Sequence, residues 1–100
     1  MKSFELTNKA KEDLRSIAIY TSNRWGREQR NLYIKQFDEN FHLLSNTPLV
    51  GKACSDIKHG YRKFTQGSHI VFYKEIGKNS ILIIRILHKN MDVESRFDDT

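Results

Sequence analysis

Three side chains in the C-terminal half carry the most pointed chemistry: Arg62, Arg85 and His88. A guanidinium can hold an acidic or phosphate group, and an imidazole can move a proton near neutrality. Arg85 is the sharpest of the three. It interrupts Ile81-Leu82-Ile83-Ile84-Arg85-Ile86-Leu87. A guanidinium in so apolar a segment must reach a carboxylate, backbone carbonyls, water or a bound anion. Two readings stand side by side: a structural ion pair or snorkelling side chain, and a cationic floor under an acidic or phosphate partner. His88 also has two, an acid/base near neutrality or a strand-end side chain bonded to nearby backbone.

Other chemistries find little support. His42, His59, His69 and His88 have no cysteine or carboxylate at ligand spacing, so no metal is expected. Gly51 and Gly60 stand alone, without a phosphate-cradling loop. No Gly-x-Ser-x-Gly or Cys/His arrangement points to a hydrolase, and no cofactor is expected. Cys54 is the only cysteine. Lys52 beside it would lower its pKa, although a lone loop cysteine is more often incidental. One thiol makes no internal disulfide, which suits a reducing cytoplasm.

The elements that must position these groups come from 100 residues, read as one domain over 1–100. With 38% hydrophobic and 11% aromatic residues the chain builds a core and is not disordered. Its longest apolar run, Ile81 to Ile84, is far short of the roughly 20 residues that span a bilayer. The start, Met-Lys-Ser-Phe-Glu, has no apolar signal-peptide core, so a cytoplasmic location is expected. Net charge +5 and a pI near 9.5 lean toward acidic partners.

Phe4-Glu5-Leu6 reads as a short strand, and Thr7 or Asn8 can cap the helix after it. Ala10, Leu14, Ile17, Ala18, Thr21 and Trp25 form one helical stripe, and Gly26 stops or hinges it. Tyr33, Phe37, Phe41 and Leu44, with Ile34 beside them, mark a second helix from about Arg27 to Leu44. Together these describe an antiparallel helical hairpin. Pro48 and Gly51 break the chain into a helical half and a β half. Strands are expected at Tyr61 to Phe64, His69 to Lys74 and Ile81 to His88. The fold class is therefore α+β: a short strand, a helical hairpin, then an antiparallel three-stranded sheet.

Thr65-Gln66-Gly67 looks like a three-residue hairpin loop, which would put Arg62 on one face with Ile70 and Phe72. A two-residue loop would flip that register. An even-length turn near Gly77-Lys78 would add Ile81, Ile83, Arg85 and Leu87 to the Arg62 face. The last strand is then apolar on both faces, while one hairpin covers one face. The other face calls for a partner.

Two basic clusters could flank an acidic partner: Arg24, Arg27, Arg30 and Lys35 against Glu28, and Lys52, Lys58, Arg62 and Lys63 against Asp56. In the polar tail Phe97 either frays with the terminus or docks on the body or a target.

The order of elements resembles the RelE/ParE superfamily of type II toxin–antitoxin toxins. Leu6-Thr7 before residues 10–18, Arg24-Trp25-Gly26, Tyr33 and Phe37, Pro48 and Gly51, and Gly60-Tyr61-Arg62-Lys63-Phe64 all match in order. Arg85-Ile86-Leu87-His88 with Met91-Asp92 resembles the ParE branch in particular. The similarity spans nearly the whole chain.

The resemblance implies a non-enzymatic toxin that inhibits DNA gyrase and hence replication, as in plasmid stabilization modules. It implies neutralisation by a ParD-like antitoxin, with no membrane partner and no sequence-specific DNA binding by the toxin alone. Target contacts would fall on Arg24, Arg27, Arg85 and His88, and on Met91, Asp92, Arg96 and Phe97 in the C-terminal segment. Antitoxin contacts would fall on Tyr20, Trp25 and Tyr33, and on Ile70, Phe72, Ile81 and Ile83. The alternative is the ribosome-dependent mRNA endonuclease of the RelE branch, with Arg62, Arg85 and His88 catalytic. Against it, Met91-Asp92-Val93-Glu94 looks like ParE, and the tail lacks a dense Lys/Arg/Tyr set. A degenerate member that only binds its antitoxin is a third reading.

Overall fold

A computed structural model describes residues 3–91 and 93–97. The chain runs β1 (Ser3–Leu6), α1 (Asn8–Trp25), α2 (Arg27–Asn46), β2 (Lys52–Ala53), β3 (Arg62–Gln66), β4 (His69–Ile76), β5 (Ser80–His88) and α3 (Val93–Phe97). This is the expected α+β order. The sheet gathers five strands in the order β1-β5-β4-β3-β2. β1 returns beside β5 in parallel, Ser3 opposite Ser80 and Leu6 opposite Ile83, and the other pairs are antiparallel.

Thr7 is the cap of α1. Its Oγ1 accepts from the Ala10 N–H at 3.0 Å and donates to the Ile84 carbonyl at 2.7 Å, tying the helix start to β5. Gly26 alone separates the two helices. Its φ of +95° is backbone that only glycine adopts cheaply, so it can reverse the chain in one residue. Ala10, Ile17, Phe37, Phe41 and Leu44 from the hairpin bury against Val71, Tyr73, Ile81, Ile83 and Ile86 of the sheet. Trp25 closes the expected stripe but stays 65% exposed, at the tip of the hairpin.

Both hairpin registers differ from the sequence reading. Gln66 pairs with His69, so the β3–β4 loop is the two residues Gly67-Ser68. Gly67 has φ +54° and Ser68 does not have positive φ, the pattern of a type II′ turn. Arg62 therefore lies opposite Tyr73, on the helix-covered face, and not beside Phe72. Between β4 and β5, Ile76 pairs with Ser80 across residues 77–79, an odd loop. Ile81 and Ile83 consequently face the helices. A bulge then resets the phase: Tyr73 pairs with Ile83 but Phe72 with Arg85, leaving Ile84 extra. Arg85 thus shares the Phe72 face, opposite to Arg62.

The uncovered second face is also corrected. Phe72, Ile84 and Leu87 are 1%, 4% and 1% exposed, because the chain covers them itself. Cys54, Ile57 and Tyr61 come from the residues between β2 and β3, and Val93 and Phe97 from α3. Phe97 sits edge-on to Tyr61 and Phe72, with ring centroids 5.8 and 5.1 Å away. These five side chains, Val93 and Phe97 one helical turn apart among them, thus do the work that the sequence reading gave to a partner. Burial also pushes the Cys54 thiol up, against the lowering expected from nearby cations.

Candidate functional site

A groove of about 600 Å³ opens where the hairpin tip overhangs the β3–β4 turn and the end of β5. Tyr20 and Trp25 of α1 form one wall, Tyr33 of α2 the floor, and His69 and His88 the far side. The antiparallel pairing sets His69 directly opposite His88, and their rings meet edge to face at 5.4 Å. The hinge at Gly26 brings the end of α1 and the start of α2 to the same place.

Hydrogen bonds fix this floor. The Tyr33 hydroxyl donates to the Gln66 carbonyl at 3.0 Å and lies 2.8 Å from His69 Nδ1. With the hydroxyl proton committed to Gln66, the network assigns the His69 proton to Nδ1 and leaves Nε2 unprotonated. His88 has the other tautomer, since its Nδ1 accepts from the Asn90 N–H at 3.1 Å. Gln66, itself buried, accepts from Asn40 Nδ2 and donates to the Tyr33 carbonyl at 3.3 Å. The turn is thereby clamped to α2. Burial raises the Tyr33 pKa and lowers that of His69, the latter helped by the neighbouring His88.

The cationic candidates do not meet. Arg62 Nη1 donates to the Gly51 carbonyl at 2.7 Å, holding the segment that Tyr73 also ties down through Pro48 and Gly51. Arg85 forks onto Asp13, with Nε to Oδ2 at 2.8 Å and Nη2 to Oδ1 at 2.9 Å. Its Nη1 donates to the Arg96 carbonyl at 3.2 Å, and the Asp13 hydrogen bond raises its pKa. Of the two readings of Arg85 the geometry has the ion pair. His88 lies in the groove, apart from both.

The remaining candidates divide. Arg24 and Arg27 are exposed at the tip, with the Arg24 guanidinium 5.4 Å over the Trp25 ring. Met91 and Arg96 are exposed, Phe97 packs on the second face, and Asp92 lies outside the described residues. Tyr20, Trp25 and Tyr33 line the groove. Ile70 is half-buried on the second face, whereas Phe72, Ile81 and Ile83 are interior and offer no surface.

Sequence reasoning missed Asp13 and His69. Asp13 sits on the sheet-facing side of α1 between Ala10 and Leu14, and that position was its signal. His69 becomes the partner of His88 only once the loop length and the bulge are known. Leu43 in the last turn of α2, and Leu49 and Val50 after it, are exposed apolar side chains that the pattern also did not mark. Among the described residues no set of three or more His, Cys, Asp or Glu side chains is placed to hold a metal, and no helix is long and apolar enough to cross a membrane.

Comparison with known proteins agrees with this architecture. Residues 4–93 match the family model described as ParE toxin of type II toxin-antitoxin system, parDE. Toxin ParE1 of Mycobacterium tuberculosis is 36% identical over 89 residues, covering 89% of this chain and 91% of its own. Toxin ParE1 of Caulobacter vibrioides is 35% identical, covering 95% and 97%. Toxin ParE of Escherichia coli is 30% identical, covering 99% and 96%. A solved structure described as the chromosomal ParDE TA system from P. aeruginosa superposes with a TM-score of 0.72 at 22% identity, over 88% of this chain and 96% of that one, and so shares the fold. The chain belongs to the ParE toxin family of type II toxin–antitoxin systems.

Proposed function

We propose that this ParE-family toxin acts by binding and not by cleavage: it inhibits DNA gyrase, halting replication, and a ParD-like antitoxin seated directly on it neutralises it. Such a target implies action in the cytoplasm. The observation that carries the reading is the dispersal of Arg62, Arg85 and His88. A nuclease needs its cations and its acid/base within reach of one phosphodiester. Here Arg62 and Arg85 lie on opposite faces of the sheet, each engaged in holding the fold, and His88 stands in a third place. What the surface does offer is a tip of exposed aromatics and arginines, the side chains enriched where proteins bind proteins.

The test is a supercoiling assay on relaxed plasmid with purified gyrase, run beside translating ribosomes carrying a labelled mRNA. The expected outcome is loss of supercoiling with rising toxin and an intact message. Undisturbed supercoiling together with a cut message would replace this reading with the RelE one.

A further inference from the structure

We propose that the groove between the hairpin tip and the β3–β4 turn docks a segment of a protein partner that presents a carboxylate beside an apolar side chain. The proposal rests on the reading of the chain as a toxin that acts by binding a protein, and names the chemistry its surface selects. Tyr20 and Trp25 are 64% and 65% exposed, and together they offer the groove a large apolar wall. Among the described residues no acidic side chain lines the groove. Nearly all its polar side chains can donate, the Tyr20, Thr21 and Ser68 hydroxyls and the Gln29 amide included, and the bare Nε2 of His69 is the acceptor among them. The Trp25 indole N–H only donates, and the His88 proton sits on Nε2 because Nδ1 is occupied by the Asn90 N–H. Ser68 adds a hydroxyl at the turn. Arg24 over Trp25 and Arg27 just past Gly26 bring positive charge to the rim. A groove of donor-bearing side chains, with no acid among its described lining and a cationic rim, selects an acceptor anion, and its aromatic wall selects an apolar neighbour.

A nucleic acid fits less well. Among the described residues no Lys or Arg lines the groove itself, so a sugar–phosphate chain would find few counterions along its path. The placement has a consequence. Residues assigned from sequence to the antitoxin (Tyr20, Trp25, Tyr33) and to the target (Arg24, Arg27, His88) surround this one groove.

The probes are two blocked dipeptides, acetyl-Phe-Glu-amide and acetyl-Phe-Gln-amide, and an oligouridylate, each titrated into the ¹⁵N-labelled full chain. Acetyl-Phe-Glu-amide is expected to shift the Trp25 indole N–H and the Ser68 and His88 amides. Acetyl-Phe-Gln-amide should bind at least about threefold more weakly, as fits loss of a charge-assisted contact. Trp25→Ala and Arg24→Gln, both at exposed positions, should each weaken the Phe-Glu probe roughly two- to fivefold, the scale of an exposed aromatic or cation–π contact. Equal binding of the Glu and Gln probes overturns the proposal. So does the absence of shifts at these three residues with tens of millimolar probe, or saturation of the same residues by oligouridylate at lower concentration. Gyrase takes no part in this readout, so a negative supercoiling assay would sink the functional reading without deciding the groove.

Discussion

Asp13 and Arg85, 72 residues apart in the chain, meet as a two-point fork, and the same carboxylate accepts the Ile86 N–H at 3.0 Å. β1 pairs with β5 only as far as Ile83, so the edge of β5 beyond it needs other partners. Thr7 supplies one at the Ile84 carbonyl and Asp13 the next at the Ile86 N–H. Helix α1 thus completes an edge that the first strand is too short to complete. The side chains are only 14% and 15% exposed, so the pair is screened less than a surface salt bridge.

Asp13→Ala should lower unfolding stability by about 2–3 kcal/mol, because it leaves both a guanidinium and a backbone N–H without their acceptor. Asp13→Asn should cost less, since it keeps an acceptor oxygen. Urea unfolding of the three proteins checks this. Equal stabilities would mean that the fork does not hold α1 to β5.

Phe97→Ala should cost about 1–3 kcal/mol, less than a fully buried phenylalanine because the ring is half-buried. It should also uncover Phe72 and Ile84 enough to bind a hydrophobic dye under native conditions. No change in either measurement would return the second face to an external partner.

Gly67→Ala should destabilise the chain by at least about 1–2 kcal/mol, the penalty of a left-handed residue with a side chain. The added methyl would also lie 2.8 Å from the Tyr33 hydroxyl. The loss should be visible as a shifted Tyr33 ring resonance. A stable variant with an unmoved ring would contradict the tight turn.

His69 has its folded pKa below the ordinary 6.5, through burial and then through His88. Between the folded value and 6.5 the unfolded chain holds more protons, so stability rises with pH there. The contribution is whole above about pH 6.5 and is lost as pH falls toward the folded value. Thermal unfolding midpoints should fall between pH 7.5 and 5.5, and by less in His69→Gln. An identical fall in both proteins would remove His69 as the cause.

The helical half was legible because its signals are local. Thr7 reads as a cap and Gly26 as a hinge from their own side-chain chemistry, and both act as such. The sheet was legible in its strands but not in its phase. Gly67 allows a two- or a three-residue loop, and that one-residue choice moves Arg62 to the other face. The bulge at Ile84 left no trace, because β5 is apolar at nearly every position and has no alternation to interrupt. The cover of the second face was legible only as one of the readings of Phe97, docking on the body, because Val93 and Phe97 stand in an otherwise polar tail. The separation of Arg62 from Arg85, on which the proposal of binding over cleavage rests, thus hung on turn lengths that composition does not encode.

The most direct test of binding against cleavage is the order in which synthesis stops in living cells. Cells expressing the toxin without antitoxin would be pulsed with labelled thymidine and labelled leucine. The account predicts that thymidine incorporation falls first while leucine incorporation continues. Leucine incorporation that collapses while DNA synthesis proceeds would contradict it.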